Sequence, residues 1–330
     1  MSVQSLYFTG SGEVTVRERP IPTPGSDELL VESECSAISA GTERLLYCGD
    51  APERLDHDEQ VPAFVEEFSY PMRYGYATVG RVSEVGTDCS EEWIGRRVFA
   101  YNPHESAFTA TPAEVVPVPA DIPTRHATLL ANAETAVTFL LDGQPALGER
   151  VAVFGQGVVG LLTTGLLAAM APEQVIAVEP VSRRQELART FGADTVVTPD
   201  SVDRLQDGRP DLTYELSGNP DALDDAIAVT GYDGRIIVGS WYGTKPATLS
   251  FGGRFHRHRL DITSSQVSTI APRHAGRWSG ERRHSVAWDW LTRLPVDELF
   301  THELPLSNAP AAYELLQTSP DEAVQVLFTY

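Results

Sequence analysis

The sequence predicts an α/β protein in which a β-rich N-terminal part precedes a doubly wound parallel sheet. Three observations lead there. Residues 1–131 carry short apolar runs broken by Gly and Pro, strand and helix signals alternate from Arg150 onward, and a glycine-rich turn joins the first of those strands to the first helix. At roughly 150 residues per domain, 330 residues provide for two cores.

In the first part, Glu28–Ser33, Tyr76–Val85, Arg97–Tyr101 and Ala113–Val118 read as strands separated by turns. In the second, strands are predicted near Val151–Phe154, Val175–Val178, Thr195–Val197, Leu212–Leu216, Arg235–Val238 and Leu260–Thr263. Several are continuously apolar, as parallel strands covered on both faces must be. Helices are predicted at Val158–Met170, Ser182–Phe191 and Asp221–Thr230. A polar stretch after residue 265 leads to a helix over Ala309–Leu316 and a last strand over Ala323–Thr329.

Hydrophobic residues make up 42% and charged residues 22%, which excludes a disordered, collagen-like or disulfide-scaffold chain. Met1–Gly10 has neither a basic nor an apolar signal region, and the apolar stretch Val158–Ala171 is too short to span a bilayer, so a soluble cytoplasmic protein is expected. Cys35, Cys48 and Cys89 form no CxxC pair, which fits a reducing compartment and argues against structural zinc or iron–sulfur clusters. The 46 acidic residues against 25 basic ones give a net charge of −21, and Lys245 is the single lysine. Such a surface opposes nucleic acid and anionic membrane as partners. In concentrated salt, with a Debye length of about 3 Å at 1 M, the repulsion is screened. A halophile's cytosolic protein is the reading, with a merely acidic mesophilic enzyme as the alternative.

The predicted strand Val151–Phe154 runs into Gly155-Gln156-Gly157-Val158-Val159-Gly160. Gly155 permits the tight turn, Gly157 lets backbone approach a pyrophosphate, and Gly160 lets helix and sheet pack closely. The following helix points its N-terminal amides at the phosphates. The next strand ends at Glu179, whose carboxylate suits a ribose 2′-hydroxyl and repels a 2′-phosphate. NAD is therefore the expected cofactor. NADP is the alternative, because Arg183 and Arg184 follow at once and could hold a 2′-phosphate.

The order of parts resembles the medium-chain dehydrogenase/reductase superfamily, the zinc-type alcohol-dehydrogenase-like proteins. The resemblance rests on Ser39-Ala40-Gly41-Thr42-Glu43, on Gly75-Tyr76-Ala77-Thr78-Val79-Gly80 leading into Val82–Gly86, and on Gly155–Gly160. Glu186–Asp194, Glu215-Leu216-Ser217-Gly218, Gly234–Gly239 and Thr301–Leu306 extend it over nearly the whole chain. Ala40–Leu46, Glu134–Val137 and Ser264–Ser268 look most like the branch containing bacteriochlorophyllide dehydrogenase. The resemblance implies a GroES-like catalytic domain over 1–131, a Rossmann domain over 132–265, and a segment, 266–330, that returns to the catalytic domain. It implies a substrate in the cleft between the domains and a homodimer or homotetramer. Ser217, Gly218, Val238, Gly239 and Ser264 join the cofactor-site residues on the same ground.

Zinc-dependent members carry a Cys where this chain has Ala40 and a His where it has Tyr76, and Leu130–Ala133 offers no third ligand beyond the adjacent Glu134. Zinc needs three or more converging N, S or O donors, so no metal is expected. The opposing reading recruits Cys35 or Cys48 with His104 and Glu134. Without zinc, other groups must polarise the substrate oxygen. Thr42 matches the position whose hydroxyl relays the substrate proton. Tyr76 offers a phenolic hydrogen bond or simply fills the volume zinc would occupy. His104 is a further candidate, and Glu43 and Glu134 could orient or accept protons, Glu134 alternatively serving only the helix dipole. His256, His258, His274 and His284 read as surface or interface residues, although Arg254–Arg259 could touch the cofactor. The expected activity is NAD(P)-dependent hydride transfer between nicotinamide and a small alcohol/carbonyl substrate, without catalytic zinc. A zinc-free C=C reductase and a non-catalytic NAD(P) sensor are the competitors.

Overall fold

The computed structural model describes residues 2–52 and 69–330. The first strand, β1 (Ser2–Gly10), buries Val3, Leu6 and Phe8 and turns at Gly12 into β2 (Glu13–Pro20), its antiparallel partner. There follow β3 (Leu29–Ala37), helix α1 (Ala40–Cys48), β4 (Thr78–Val85), β5 (Arg97–Ala100), β6 (Ala107–Ala110), β7 (Val115–Pro117) and the short helix α2 (Thr124–Ala127). The hairpin β1–β2, β6 and α1 are absent from the sequence reading. Ala40–Glu43 form the first turn of α1.

Helix α3 (Leu130–Gly143) opens the second half, followed by β8 (Arg150–Phe154), α4 (Val158–Ala168), β9 (Gln174–Val178), α5 (Ser182–Thr190), β10 (Thr195–Val197), β11 (Leu212–Glu215), α6 (Pro220–Val229), β12 (Arg235–Val238), β13 (Asp261–Ser264) and α7 (Gly280–Leu291). The six strands form one parallel sheet in the order β10-β9-β8-β11-β12-β13, the doubly wound arrangement. Both faces are covered. Ala152, Phe154, Ile176 and Ile236 pack with Leu223 and Ile227 of α6, while Val151, Val153, Val175 and Tyr214 pack with Phe139 of α3 and Leu167 of α4. This two-sided burial is why the strands read as unbroken apolar runs.

The chain ends with β14 (Phe300–Pro305), α8 (Ala309–Thr318) and β15 (Gln325–Thr329). These strands enter a sheet ordered β14-β15-β3-β4-β5-β7, with β6 also paired to β3. The molecule divides into two compact units, Met1–Ala131 with Leu299–Tyr330 and Asn132–Glu298. The return to the first unit thus comes at Leu299, not at residue 266. The reason is local: Arg283 of α7 donates to the Glu134 carboxylate, to Thr138 Oγ1 and to the Val267 carbonyl, tying 266–298 to α3. Among the described residues no helix is long and apolar enough to cross a membrane.

Candidate active site and dinucleotide cradle

In the first unit, antiparallel pairing sets Ser36 of β3 opposite Phe328 of β15 and opposite Thr78 of β4. The chain leaves β3 and enters α1 with Ser39 at the N-cap. No side chain of Ser39 caps the helix. Instead the Glu43 carboxylate reaches back one turn and accepts the Ser39 N–H through Oε1 at 2.7 Å. A carboxylate is favoured there by the positive end of the helix dipole.

Glu43 is fully buried, and a buried carboxylate must be surrounded by donors. Its Oε2 accepts from the Tyr313 hydroxyl of α8 and lies 3.0 Å from His104 Nε2. His104, equally buried, places Nδ1 2.7 Å from Ser36 Oγ, which lies 2.7 Å from the Tyr330 hydroxyl. The Phe328 ring meets the imidazole edge-on. The loop bearing His104 is itself pinned. Leu6 N–H donates to the His104 carbonyl, and neighbouring Glu105 accepts from Arg73, Ser5 and Asn102. Gly75, at φ +127°, is required beside it, since a Cβ there would come within 2.8 Å of His104 Cδ2.

Tyr76 completes the group. Its hydroxyl bonds Ser39 Oγ and lies 3.3 Å from Thr42 Oγ1, so three hydroxyls meet at the start of α1. Burial pushes the phenol's pKa above its ordinary 10.0 and the Glu43 charge adds to this, while the Ser39 and Thr42 hydrogen bonds pull it back. The phenol therefore remains a donor at neutral pH. The structure thus brings Thr42, Glu43, Tyr76 and His104 together.

Glu134 lies in the second unit, where Arg283 Nη2 at 2.6 Å and His284 Nε2 at 3.1 Å hold its buried carboxylate. His274 and His284, expected at the surface or at an interface, are engaged in that unit as well: His274 is 5% exposed with Nε2 2.8 Å from the Leu141 carbonyl. Cys35 is a buried residue of β3, its thiol pushed up to about 12 by burial, and stays a thiol. Among the described residues, no three His, Cys, Asp or Glu side chains converge to hold a metal ion.

In the second unit the glycine turn lies at the C-terminal edge of the parallel sheet. Gly155 adopts φ +86°, and a Cβ there would sit 2.5 Å from Ser217 Cα. A Cβ on Gly160 would lie 2.0 Å from the Gly155 carbonyl oxygen. Gly157 differs, because nothing stands within 4 Å of where its Cβ would point. It N-caps α4, whose first turn (Val158, Val159, Gly160) has no side-chain cap. Open space over uncapped amides is what an anion at a helix N-terminus requires.

The buried Gln156 side chain bridges the Val153 carbonyl and the Thr164 hydroxyl, and its N–H donates to Glu179 Oε2 at 2.7 Å. Glu179 Oε1 accepts from Val181 N–H at 3.0 Å. The carboxylate thus pins the turn, a duty the sequence reading did not assign, while each oxygen keeps a lone pair. Arg183 is exposed and Arg184 half-buried in the first turn of α5. Ser217 and Gly218 follow β11, Val238 and Gly239 end β12, and Ser264 ends β13, all on the same sheet edge. Buried Glu215 organises this edge by accepting from Ser217 N–H, the Ser217 hydroxyl and the Tyr242 hydroxyl. Glu215 and Tyr242, with Ser36, Ser39, Tyr313 and Tyr330, are the site residues that sequence reasoning missed. Partners as far apart as Ser36 and Tyr330, separated by 294 positions, leave no local signal.

Residues 158–279 match the family described as zinc-binding dehydrogenase. The chain is 23% identical over 272 residues to D-guloside 3-dehydrogenase of Escherichia coli K12, covering 78% of each. It is 25% identical over 341 residues to 2-desacetyl-2-hydroxyethyl bacteriochlorophyllide A dehydrogenase of Cereibacter sphaeroides, covering 97% of this chain and 96% of that one. A short chain alcohol dehydrogenase from Escherichia coli CFT073, solved with NADH, superposes with a TM-score of 0.81 at 19% identity over 100% of this chain and 99% of that one. The similarity to the zinc-binding dehydrogenase family thus covers residues 158–279, and the fold is shared with the solved dehydrogenase.

Gly75→Ala should destabilise the first unit by about 1–3 kcal/mol, because it adds both left-handed backbone strain and a close contact with His104. Equilibrium urea unfolding checks this, and an unchanged midpoint would show that the loop accommodates the methyl group.

Proposed function

We propose that the protein is an NAD(P)-dependent oxidoreductase that transfers hydride between nicotinamide and the carbon of a small alcohol or carbonyl substrate. The observation that carries this reading is the glycine turn at 155–160, with open space over Gly157 at the start of an uncapped helix. The named activities of the relatives, both dehydrogenases, support it, as does the NADH of the E. coli structure. Gly155–Gly160 would hold the diphosphate and Glu179 the adenosine ribose, with Ser217, Gly218, Val238, Gly239 and Ser264 along the sheet edge. When bound, the nicotinamide supplies or accepts the hydride.

The residues at the zinc-ligand positions do not fit zinc. Ala40 has no donor atom, and Tyr76 is a protonated phenol already bonded to Ser39 and Thr42. His104 and Glu43 spend both nitrogens and both oxygens on protein partners. The polarising work therefore falls to hydroxyl groups. Tyr76 donates to the substrate oxygen as charge develops there, while Ser39 and Thr42 hold the phenol. The net charge of −21 makes high salt the proposed working condition, and the substrate is proposed to be a small molecule.

Tyr76→Phe should lower kcat by about 10²–10³-fold, the usual effect of deleting one donor to a developing oxyanion, with NADH affinity unchanged. Because the phenol's pKa is raised, ionisation of Tyr76 removes the donor only above pH 10.0, so kcat should show no alkaline loss from this group below that value. A fully active variant in steady-state assays would remove the phenol from the chemistry. Glu179→Ser should shift relative affinity from NADH toward NADPH in fluorescence titrations at high salt. An unmoved ratio would mean that the carboxylate serves the turn alone.

A further inference from the structure

Glu43 carries a full complement of buried donors, far more than closing one helix turn demands. We propose that His104, Ser36 and Tyr313 act through Glu43 as a positioning device that leaves the Tyr76 hydroxyl proton free for the substrate oxygen. The inference rests on the catalytic reading of Tyr76 given above.

The assignment follows from counting protons. An ionised carboxylate only accepts, so both His104 Nε2 and the Tyr313 hydroxyl donate to Glu43 Oε2. With a neutral imidazole, Nδ1 must then accept from Ser36, and Ser36 Oγ must accept from the Tyr330 hydroxyl. Every proton along Tyr330, Ser36, His104 and Glu43 is used once and in one direction. At the far end, Glu43 Oε1 takes the Ser39 N–H, which fixes the backbone from which Ser39 Oγ projects.

The Ser39 and Tyr76 hydroxyls share one close contact, and only one of them can donate across it. If Ser39 donates, the phenol proton is left with Thr42, whose oxygen is 3.3 Å away and a weak competitor, or with a substrate. The buried negative charge of Glu43 beside this pair favours retention of the phenol proton. Removing a donor from Oε2 would let the carboxylate shift, move Ser39 and rotate the proton into the protein. Misplacement of this size, away from the chemistry, lowers rate without weakening cofactor binding.

The test is a double-mutant cycle on the full-length enzyme. Tyr313→Phe keeps the ring that stacks on Tyr47 and loses only the hydroxyl donor, while His104→Leu, of similar size, removes both the donor to Glu43 and the link to Ser36. Each should lower kcat by roughly 10–100-fold on the native background, with NADH affinity unchanged. On a Tyr76→Phe background the further loss should vanish, since the residue acted upon is gone. Equal losses on both backgrounds would overturn the proposal. A second readout needs no activity. The 13Cζ resonance of Tyr76 should move in both variants while the circular dichroism stays native, and an unmoved resonance would also overturn it. If Tyr76→Phe alone keeps full turnover, the catalytic reading of Tyr76 fails, and the resonance still decides whether the network positions the hydroxyl.

Discussion

A carboxylate without water must be given donors, and Glu43 is such a group. Satisfying it draws on chain segments far apart in sequence. Helix α1 supplies the Ser39 amide, the loop after β5 supplies His104, and α8 supplies the Tyr313 hydroxyl. The last strand, β15, then has to lie beside β3, because its Phe328 packs on His104 and the chain beyond it brings Tyr330 to Ser36. The topology of the first unit and the placing of the Ser39, Thr42 and Tyr76 hydroxyls are thus two consequences of one desolvated charge.

The second unit solves a related problem in the same way. Glu179 directly after β9 and Glu215 at the end of β11 are buried acids that each join the loop after their own strand to the loop after another: Glu179 accepts from Val181 and from Gln156 of the glycine turn, and Glu215 from Ser217 and from Tyr242 beyond β12. Each fixes a strand-to-helix connection at the sheet edge proposed to receive the dinucleotide. The glycine turn needs this support, because glycine contributes no side chain of its own to hold it. Glu179 fixes the turn through two backbone amides, and in the proposed role it would also read the ribose, so its replacement tests two properties at once.

Much of the parallel sheet was legible. Thr195–Val197 and Arg235–Val238 run as the pattern predicts, and the other four strands differ by a residue or so at their ends. Continuous burial on both faces leaves an unmistakable trace in composition, and the glycine spacing marks the turn. The first unit was less legible. α1 contains Gly41 and a polar first turn, so its helical signal is weak, and α7 begins with a charged run that conceals the buried Arg283. Thr42, Glu43, Tyr76 and His104 could be named because they stand at recognisable positions. Their partners Ser36, Tyr313 and Tyr330 could not, since only tertiary pairing brings them near.

At the positions where the family resemblance implies zinc ligands, this chain has an alanine and a hydrogen-bonded phenol, and His104 and Glu43 are committed to each other. The proposed consequence is that oriented hydroxyls take over the polarisation of the substrate oxygen. Zinc content and turnover of the purified protein, measured in high salt before and after exhaustive chelation, test this most directly. Zinc well below one equivalent per chain and unchanged kcat after chelation are predicted. One equivalent of zinc, with kcat lost on its removal and restored on its return, would contradict it.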